Sequence, residues 1–359
     1  MGASNAAQIA ADTQASLQKS TIASPKSMLN AFKTDTLNAP LQAAYIGRLT
    51  ASSEAVMSDA VNFDAPLEKT TQTQLFATPF GGALTGGVSG HLLGLALGLT
   101  HIGEDYAAQA HFAYARGQST QDLATQNSET TGDLFQLGGF GRFFVGKSVE
   151  IDANANFIYG KFTLSNTWGD AALASLNSSA DFSNYELNLG ANGGYRFNGV
   201  GADDFSLKPF AGVQLYYDKQ GSFSQDGGLN LASDAYSDFA GDILAGVEAR
   251  YIFENGGFVF AKASYEQRLF NSRKEVFMRV DGASESGSVG GSVGGGSGSS
   301  GSSAELRFEN ETFNGFFAAN VGGRVLSLDK WKLDLEAQYK RFDSGLNYFG
   351  GQISVKYAF

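Results

Sequence analysis

Read back from the carboxyl terminus, alternate residues sort into two faces. Phe359, Tyr357, Val355, Ile353, Gly351 and Phe349 form one; Ala358, Lys356, Ser354, Gln352 and Gly350 form the other. An apolar face opposite a polar one at period two is the pattern of a half-buried strand. The same alternation sets Trp331, Leu333, Leu335, Ala337 and Tyr339 against Lys332, Asp334, Glu336, Gln338 and Lys340. Tyr185, Leu187, Leu189, Ala191 and Tyr195 stand opposite Glu186, Asn188, Asn192 and Arg196. Ile151, Ala153, Ala155, Phe157 and Tyr159 alternate with Asp152, Asn154 and Asn156, and Ile243, Ala245, Val247, Ala249 and Tyr251 with Asp242, Glu248 and Arg250. Twelve such segments are predicted, near 73–82, 88–101, 105–116, 132–145, 149–164, 181–197, 207–218, 238–253, 257–270, 306–325, 330–342 and 346–359.

The connections alternate in length. Those after even segments are tight, as at Ile102–Glu104, Gly146–Ser148, Glu254–Gly256 and Leu326–Asp329, with a longer one after Phe197. Those after odd segments are mostly long: Gly117–Thr131, Ser165–Ala180, Lys219–Ser237 and Asn271–Glu305, with short exceptions at Gly81–Gly87 and Asp343–Gly345. Short turns at one end and long loops at the other characterise outer-membrane barrels. Aromatic residues gather beside the short turns: Phe143 and Phe144, Tyr195 and Phe197, Phe205 and Phe210, Tyr251 and Phe253, Phe258 and Phe260, Trp331, Tyr357 and Phe359. They read as a girdle at one membrane interface.

The first 70 or so residues are different, rich in Ala, Ser, Thr and Gln. Pro40 suits a first helical position, with Asn38 near enough to cap, and Pro40–Ala60 reads as a helix. At about 1.5 Å per residue it is about 31 Å long, matching a bilayer core of about 30 Å. Its apolar stripe (Leu41, Tyr45, Leu49, Val56) is thin and many neighbours are small. The opening MGASNAAQIAADTQ has neither the basic nor the apolar region of a secretory leader, so the chain is either cytoplasmic or a fragment of a longer exported precursor, and its membrane-type strands favour the fragment. A Gly/Ser tract, Gly282–Ser303, reads as a flexible loop on the long-loop side, either natural or a replacement for a longer loop.

Composition narrows the classes. The chain of 359 residues has 46 Gly, 5 Pro, no Cys and a net charge of -11. Without Cys there are no disulfides, thiolate metal sites or thiol catalysis. The acidic balance speaks against nucleic acid, and an aromatic share of 13% against disorder. The longest apolar-plus-Gly run, Leu92–Leu99, is too short for a membrane-spanning helix.

Charge placement decides between a membrane barrel and a soluble sheet. Glu186, Arg196, Glu248, Arg250, Lys262, Glu266, Arg268, Arg324, Asp334, Glu336 and Lys340 would line the inside. In a soluble core they would be costly unless paired, whereas a watery lumen tolerates them. A soluble sheet would also need a second apolar layer, which the chain lacks. The expected fold is therefore all-β: a twelve-stranded antiparallel transmembrane β-barrel, with the predicted helix ahead of it.

Enzymatic and metal chemistry find little support. His91, His101 and His111 are ten apart, a spacing that does not itself make them converge, and Ser89 and His91 could share a strand face but lack a third partner. No catalytic residue, metal site or cofactor is expected.

The stretches QLFATPFGGALTGG (Gln74–Gly87), LGLALGLTHIGED (Leu93–Asp105), LKPFAGVQLYY (Leu207–Tyr217) and above all Phe313–Phe359, which ends in Tyr357-Ala358-Phe359, carry a resemblance. Over residues 40–359 the chain resembles the translocator domain of classical autotransporters (type V secretion), with a weaker likeness to a vacuolating-toxin-like subgroup. The resemblance implies an outer-membrane location in a Gram-negative bacterium and a monomer in the lipid bilayer. It implies a protein that carries its own N-terminal passenger to the cell surface. The resemblance implies an N-terminal α-helix in the lumen, with units of a passenger stub at 1–39, a pore-spanning helix at 40–63 and a barrel at 64–359. That linker helix, with Tyr45, Arg48 and Glu54, would plug the pore, lumen charges such as Glu248 and Arg250 being candidates to pair with Arg48 or Glu54, and the terminal aromatic motif, Tyr357 and Phe359, would be read by the barrel-assembly machinery. Some members cut themselves between two asparagines in the pore. Here Asn62 precedes Phe63 and no Asn-Asn pair lies between 30 and 75, so that route is not expected. The alternative is a self-contained outer-membrane porin or adhesin barrel.

Overall fold

In the computed structural model, the residues described are Met28 and 71–359, apart from 123–125, 147, 203, 228–229, 254–256, 273–274, 282–303, 310–313 and 329. The helix expected at Pro40–Ala60 and the Gly/Ser tract lie outside them.

Twelve long strands form the wall: β1 Gln72–Thr85, β2 Ser89–Ile102, β3 Tyr106–Asp122, β4 Gln126–Val145, β5 Val149–Trp168 and β6 Ser178–Tyr195. They continue with β7 Phe205–Gln220, β8 Tyr236–Ile252, β9 Phe258–Asn271, β10 Gly315–Ser327, β11 Trp331–Phe342 and β12 Asn347–Ala358. Each pairs antiparallel with its neighbours in sequence, and β1 pairs with β12, from Gln74 opposite Ala358 to Thr85 opposite Asn347. The sheet is a closed barrel. Closure leaves no unpaired edge, the condition for a sheet to stand in hydrocarbon.

The period-two faces fall as the sequence requires. Leu93, Leu95, Leu97 and Leu99 of β2 are exposed on the outer surface, as are Leu187 and Leu189 of β6 and Leu335 of β11; Leu93 keeps 65% of its accessible surface. Their alternates, among them Glu186, Asp334 and Glu336, are buried inside.

Four strands run further than their hydrophobic pattern. β3 and β4 continue to Asp122 and from Gln126, so the long loop expected at 117–131 is a hairpin instead. β5 and β6 likewise reach Trp168 and Ser178 around a short 3-10 turn, Ala171–Leu176. In these extensions both faces are polar, as in Gln118, Ser119, Thr120 and Gln121, so alternation vanishes while the ladder continues. The segment expected at 306–325 divides. Ala304–Glu309 joins Glu275–Asp281, Asn230–Ser233 and Phe223–Ser224 in a separate four-stranded sheet at the long-loop end, and Gly315–Ser327 is the wall strand. The β11–β12 hairpin turns at Gly345, whose φ of 84° suits glycine, and Phe342 N–H donates to the Leu346 carbonyl at 2.9 Å.

There are two aromatic girdles. At the short-turn end, Tyr195 meets Phe197 at a centroid separation of 4.8 Å, Tyr251 meets Phe253 at 5.2 Å, and Trp331, Tyr357 and Phe359 form a chain at 4.8 and 5.4 Å. Toward the loops, Tyr114, Phe135, Tyr159 and Tyr185 follow one another at 5.1, 6.3 and 5.1 Å, and Tyr339 meets Phe349 at 4.8 Å. From Trp331 to Tyr339 is about 27 Å of strand, or about 20 Å of height at a tilt of about 40°. Phe144, Phe210, Phe258 and Phe260 do not join the girdle assigned to them from sequence. They are buried on the lumen side, Phe258 with 1% exposure. Phe143 and Phe144 show the reason: consecutive strand residues point to opposite faces, so nearness to a turn does not fix the side.

Candidate functional site

The inside of the barrel holds every lumen charge expected from sequence: Glu186, Arg196, Glu248, Arg250, Asp334 and Lys340 are buried, as is Glu336, and Glu266, Arg268 and Lys262 are half-buried on the same face. What the sequence did not reveal is how fully the wall pairs with itself. At the short-turn end, Arg142 of β4 meets Asp152 of β5 at 2.6 Å, and Glu150 accepts from Arg196 at 2.5 Å and from Lys208 of β7 at 2.7 Å. Glu248 of β8 accepts from Arg196 and Arg250, each at 2.9 Å, and Arg196 donates to the Ser206 hydroxyl at 3.0 Å. Four strands, β4, β5, β7 and β8, and the β6–β7 turn are thereby stitched together. Across the lumen, Asp334 of β11 holds Arg324 of β10 at 2.8 Å and Lys356 of β12 at 2.6 Å. Glu336 accepts from Asn320 at 2.7 Å and Gln352 at 2.9 Å. The Tyr216 hydroxyl donates to Glu266 at 2.6 Å, and Arg268 pairs with Asp242.

The inward phenylalanines support these cations. Arg324 lies 5.3 Å and Arg250 6.0 Å from the centre of the Phe258 ring, Lys262 lies 5.0 Å from Phe210, and Lys340 lies 5.0 Å from Phe316. Ring faces attract such cations most where water is scarce. Sequence reasoning placed Asp152 and Lys356 on polar strand faces but missed Arg142, Glu150 and Lys208; each of these sits at an inward position of a strand already identified, so period two alone could have found them. The pairing expected between Glu248 or Arg250 and Arg48 or Glu54 falls outside the described residues, as do Tyr45, Arg48 and Glu54 themselves. Glu248 and Arg250 bind each other and Arg196.

Part of the lumen is lined by an apolar cluster, which the expectation of a watery interior did not foresee. Phe76, Phe80 and Leu84 of β1, Leu92 of β2, Leu134 of β4, Ile158 and Phe162 of β5, Phe182 of β6 and Tyr348 of β12 are buried in one cluster. Met28 lies in the same cluster with no exposed surface. The sequence reading places this residue in the stub at 1–39; the structure places it inside the barrel.

The histidines do not converge. His91 and His101 occupy outward positions at opposite ends of β2, whereas His111 of β3 is buried inside, its Nε2 2.9 Å from the Gln136 amide nitrogen. Ser89 bonds the Thr120 hydroxyl at 2.9 Å, and no group of His, Asp or Glu suited to a metal occurs among the described residues.

The model of the C-terminal domain of the vacuolating cytotoxin autotransporter VacA matches residues 27–359. The chain belongs to that family. It is an autotransporter β-domain, an outer-membrane translocator for passenger secretion, and its family is one of transporters rather than enzymes. Solved structures agree on the fold. The translocator domain of NalP from Neisseria meningitidis is 18% identical, with a TM-score of 0.54 over 89% of this chain and 98% of that one. The β-domain of the Bordetella autotransporter BrkA is 16% identical, with a TM-score of 0.51 over 80% of this chain and all of that one. No curated protein sequence matches the chain.

Proposed function

We propose that the barrel stands in the outer membrane of a Gram-negative cell with its short turns in the periplasm and its long loops at the surface. It passes its own N-terminal passenger outward and then closes around the segment that joins passenger to wall. The observation that carries this reading is a closed wall with an apolar outer face between two aromatic girdles and a lumen lined by paired charges. Such a lumen offers an extended chain polar partners while keeping lipid out. It needs no cofactor and no catalytic group.

The plug of this reading is the helix Pro40–Ala60, with Tyr45, Arg48 and Glu54 turned to the wall. Tyr357 and Phe359 are the motif recognised by the barrel-assembly machinery. The working form of this reading is a monomer whose surroundings are lipid; a closed barrel offers no edge strand for pairing with a second copy.

Single-channel recording in planar bilayers tests the plug. Deleting residues 1–63 is expected to raise conductance severalfold over the full chain, since it empties the lumen. Equal conductance for the two would overturn the plug.

A further inference from the structure

We infer that the surface-side half of the lumen contains a built seat for Met28, and that this contact latches the N-terminal segment at the pore mouth. The inference rests on the reading that this segment lies in the pore, and it specifies which residue is held and by what.

The seat has a floor and walls. Gly117 of β3 and Gly132 of β4 are direct cross-strand partners, and both face inward. Two glycines side by side leave a notch where neighbouring positions carry side chains. Met28 fills it: its sulfur lies 3.0 Å from where a Cβ on Gly117 would stand and 3.5 Å from the same point on Gly132. Leu92 borders the Gly117 side at 3.1 Å and the Phe162 ring borders the Gly132 side at 2.6 Å, by the same measure. A thioether beside an aromatic ring, fully withdrawn from water, is a favourable contact for a flexible side chain. The notch lies eleven residues up β3 from Tyr106, about 29 Å above the short turns at a tilt of about 40°. That is toward the surface-side mouth, about the level that the top of a helix of about 31 Å rising from the periplasmic end would reach.

The chain has no cysteine, so engineered thiols report alone. The test uses the full chain refolded in lipid. Met28→Cys is paired with Gly117→Cys, with Leu92→Cys as a second partner because a side chain at Gly117 crowds the notch, and with Asp238→Cys of β8, four strands round the wall from β4, as the control. A short bifunctional methanethiosulfonate is applied and the closed loop is read by gel mobility. The seat predicts efficient bridging to position 117 or 92 and little to 238. In bilayers, Met28→Asp should raise conductance severalfold and Met28→Leu should leave it unchanged. If neither position 117 nor 92 bridges, while removal of residues 1–63 still opens the pore, the seat is wrong and the plug reading stands. If removal of 1–63 also leaves conductance unchanged, both fall.

Discussion

Glu150 shows how much one lumen side chain holds. Its two carboxylate oxygens take Arg196 at 2.5 Å and Lys208 at 2.7 Å, and all three side chains are almost completely withdrawn from solvent. Charges in that position are tolerated because they are paired, and removing one partner strands the others. Glu150→Gln should therefore cost about 3–5 kcal/mol of barrel stability, the usual loss when a buried pair is broken. The midpoint of denaturant-induced unfolding in lipid vesicles measures it. Asp334→Asn, which strands Arg324 and Lys356, should fall in the same range. A loss below about 1 kcal/mol for both would mean that water enters the lumen freely enough to screen them. The charges themselves were legible from sequence, since each occupies an inward position of a period-two strand. Their partners were not, because pairing depends on register between strands. Glu150 and Arg196 are 46 positions apart and meet only once β5 and β6 are aligned.

At the scale of the strand, two faces answer to two solvents. In β2 the outward Leu93, Leu95, Leu97 and Leu99 meet lipid, while the inward Leu92 and Ala96 belong to the apolar lumen cluster. Leu97→Arg places a charge on the lipid face near the middle of the strand and should cost about 2–4 kcal/mol, the range for a cation near the bilayer midplane. Thr100→Arg, inward on the same strand, should cost less because its charge stays out of hydrocarbon. Equilibrium unfolding of the two variants in the same vesicles compares them, and equal losses would contradict the assignment of faces. β2 also explains why the lumen cluster escaped the sequence. A strand that is apolar on both sides gives the same run of leucines whether its inner neighbours are water or phenylalanine. The polar ends of β3 to β6 failed for the opposite reason: above the lipid neither face needs to be apolar, so the pattern stops before the strand does. The twelve wall strands were otherwise plain in the chain, because lipid on one side and polar lumen on the other impose the alternation over most of their length.

For the whole molecule, closure is the decisive step. The first and last strands meet only after everything between them has been placed, and the Thr78 and Ser354 hydroxyls that bond at 2.9 Å across the seam are 276 residues apart. Contacts of such long range make folding slow. Phe359 lies at that seam: its N–H donates to the Thr73 carbonyl at 3.1 Å, and its outward ring packs edge-on against Tyr357, which leans on Trp331. Removing it takes away one terminal hydrogen bond and one exposed ring, while the register from Gln74–Ala358 to Thr85–Asn347 remains. Deletion of Phe359 should therefore change the unfolding midpoint of the finished barrel little, by about 1 kcal/mol or less, the scale of one net hydrogen bond. In cells, however, the rate at which the heat-resistant folded form appears on unboiled gels should fall severalfold, because the assembly machinery loses the aromatic end of the strand that closes the barrel. Refolding of the same variant into pure lipid vesicles separates the two contributions. A delay in cells with normal refolding in vesicles assigns Phe359 to recognition; an equal delay in both assigns it to the seam itself; and normal kinetics in both would remove any role for Phe359 in assembly.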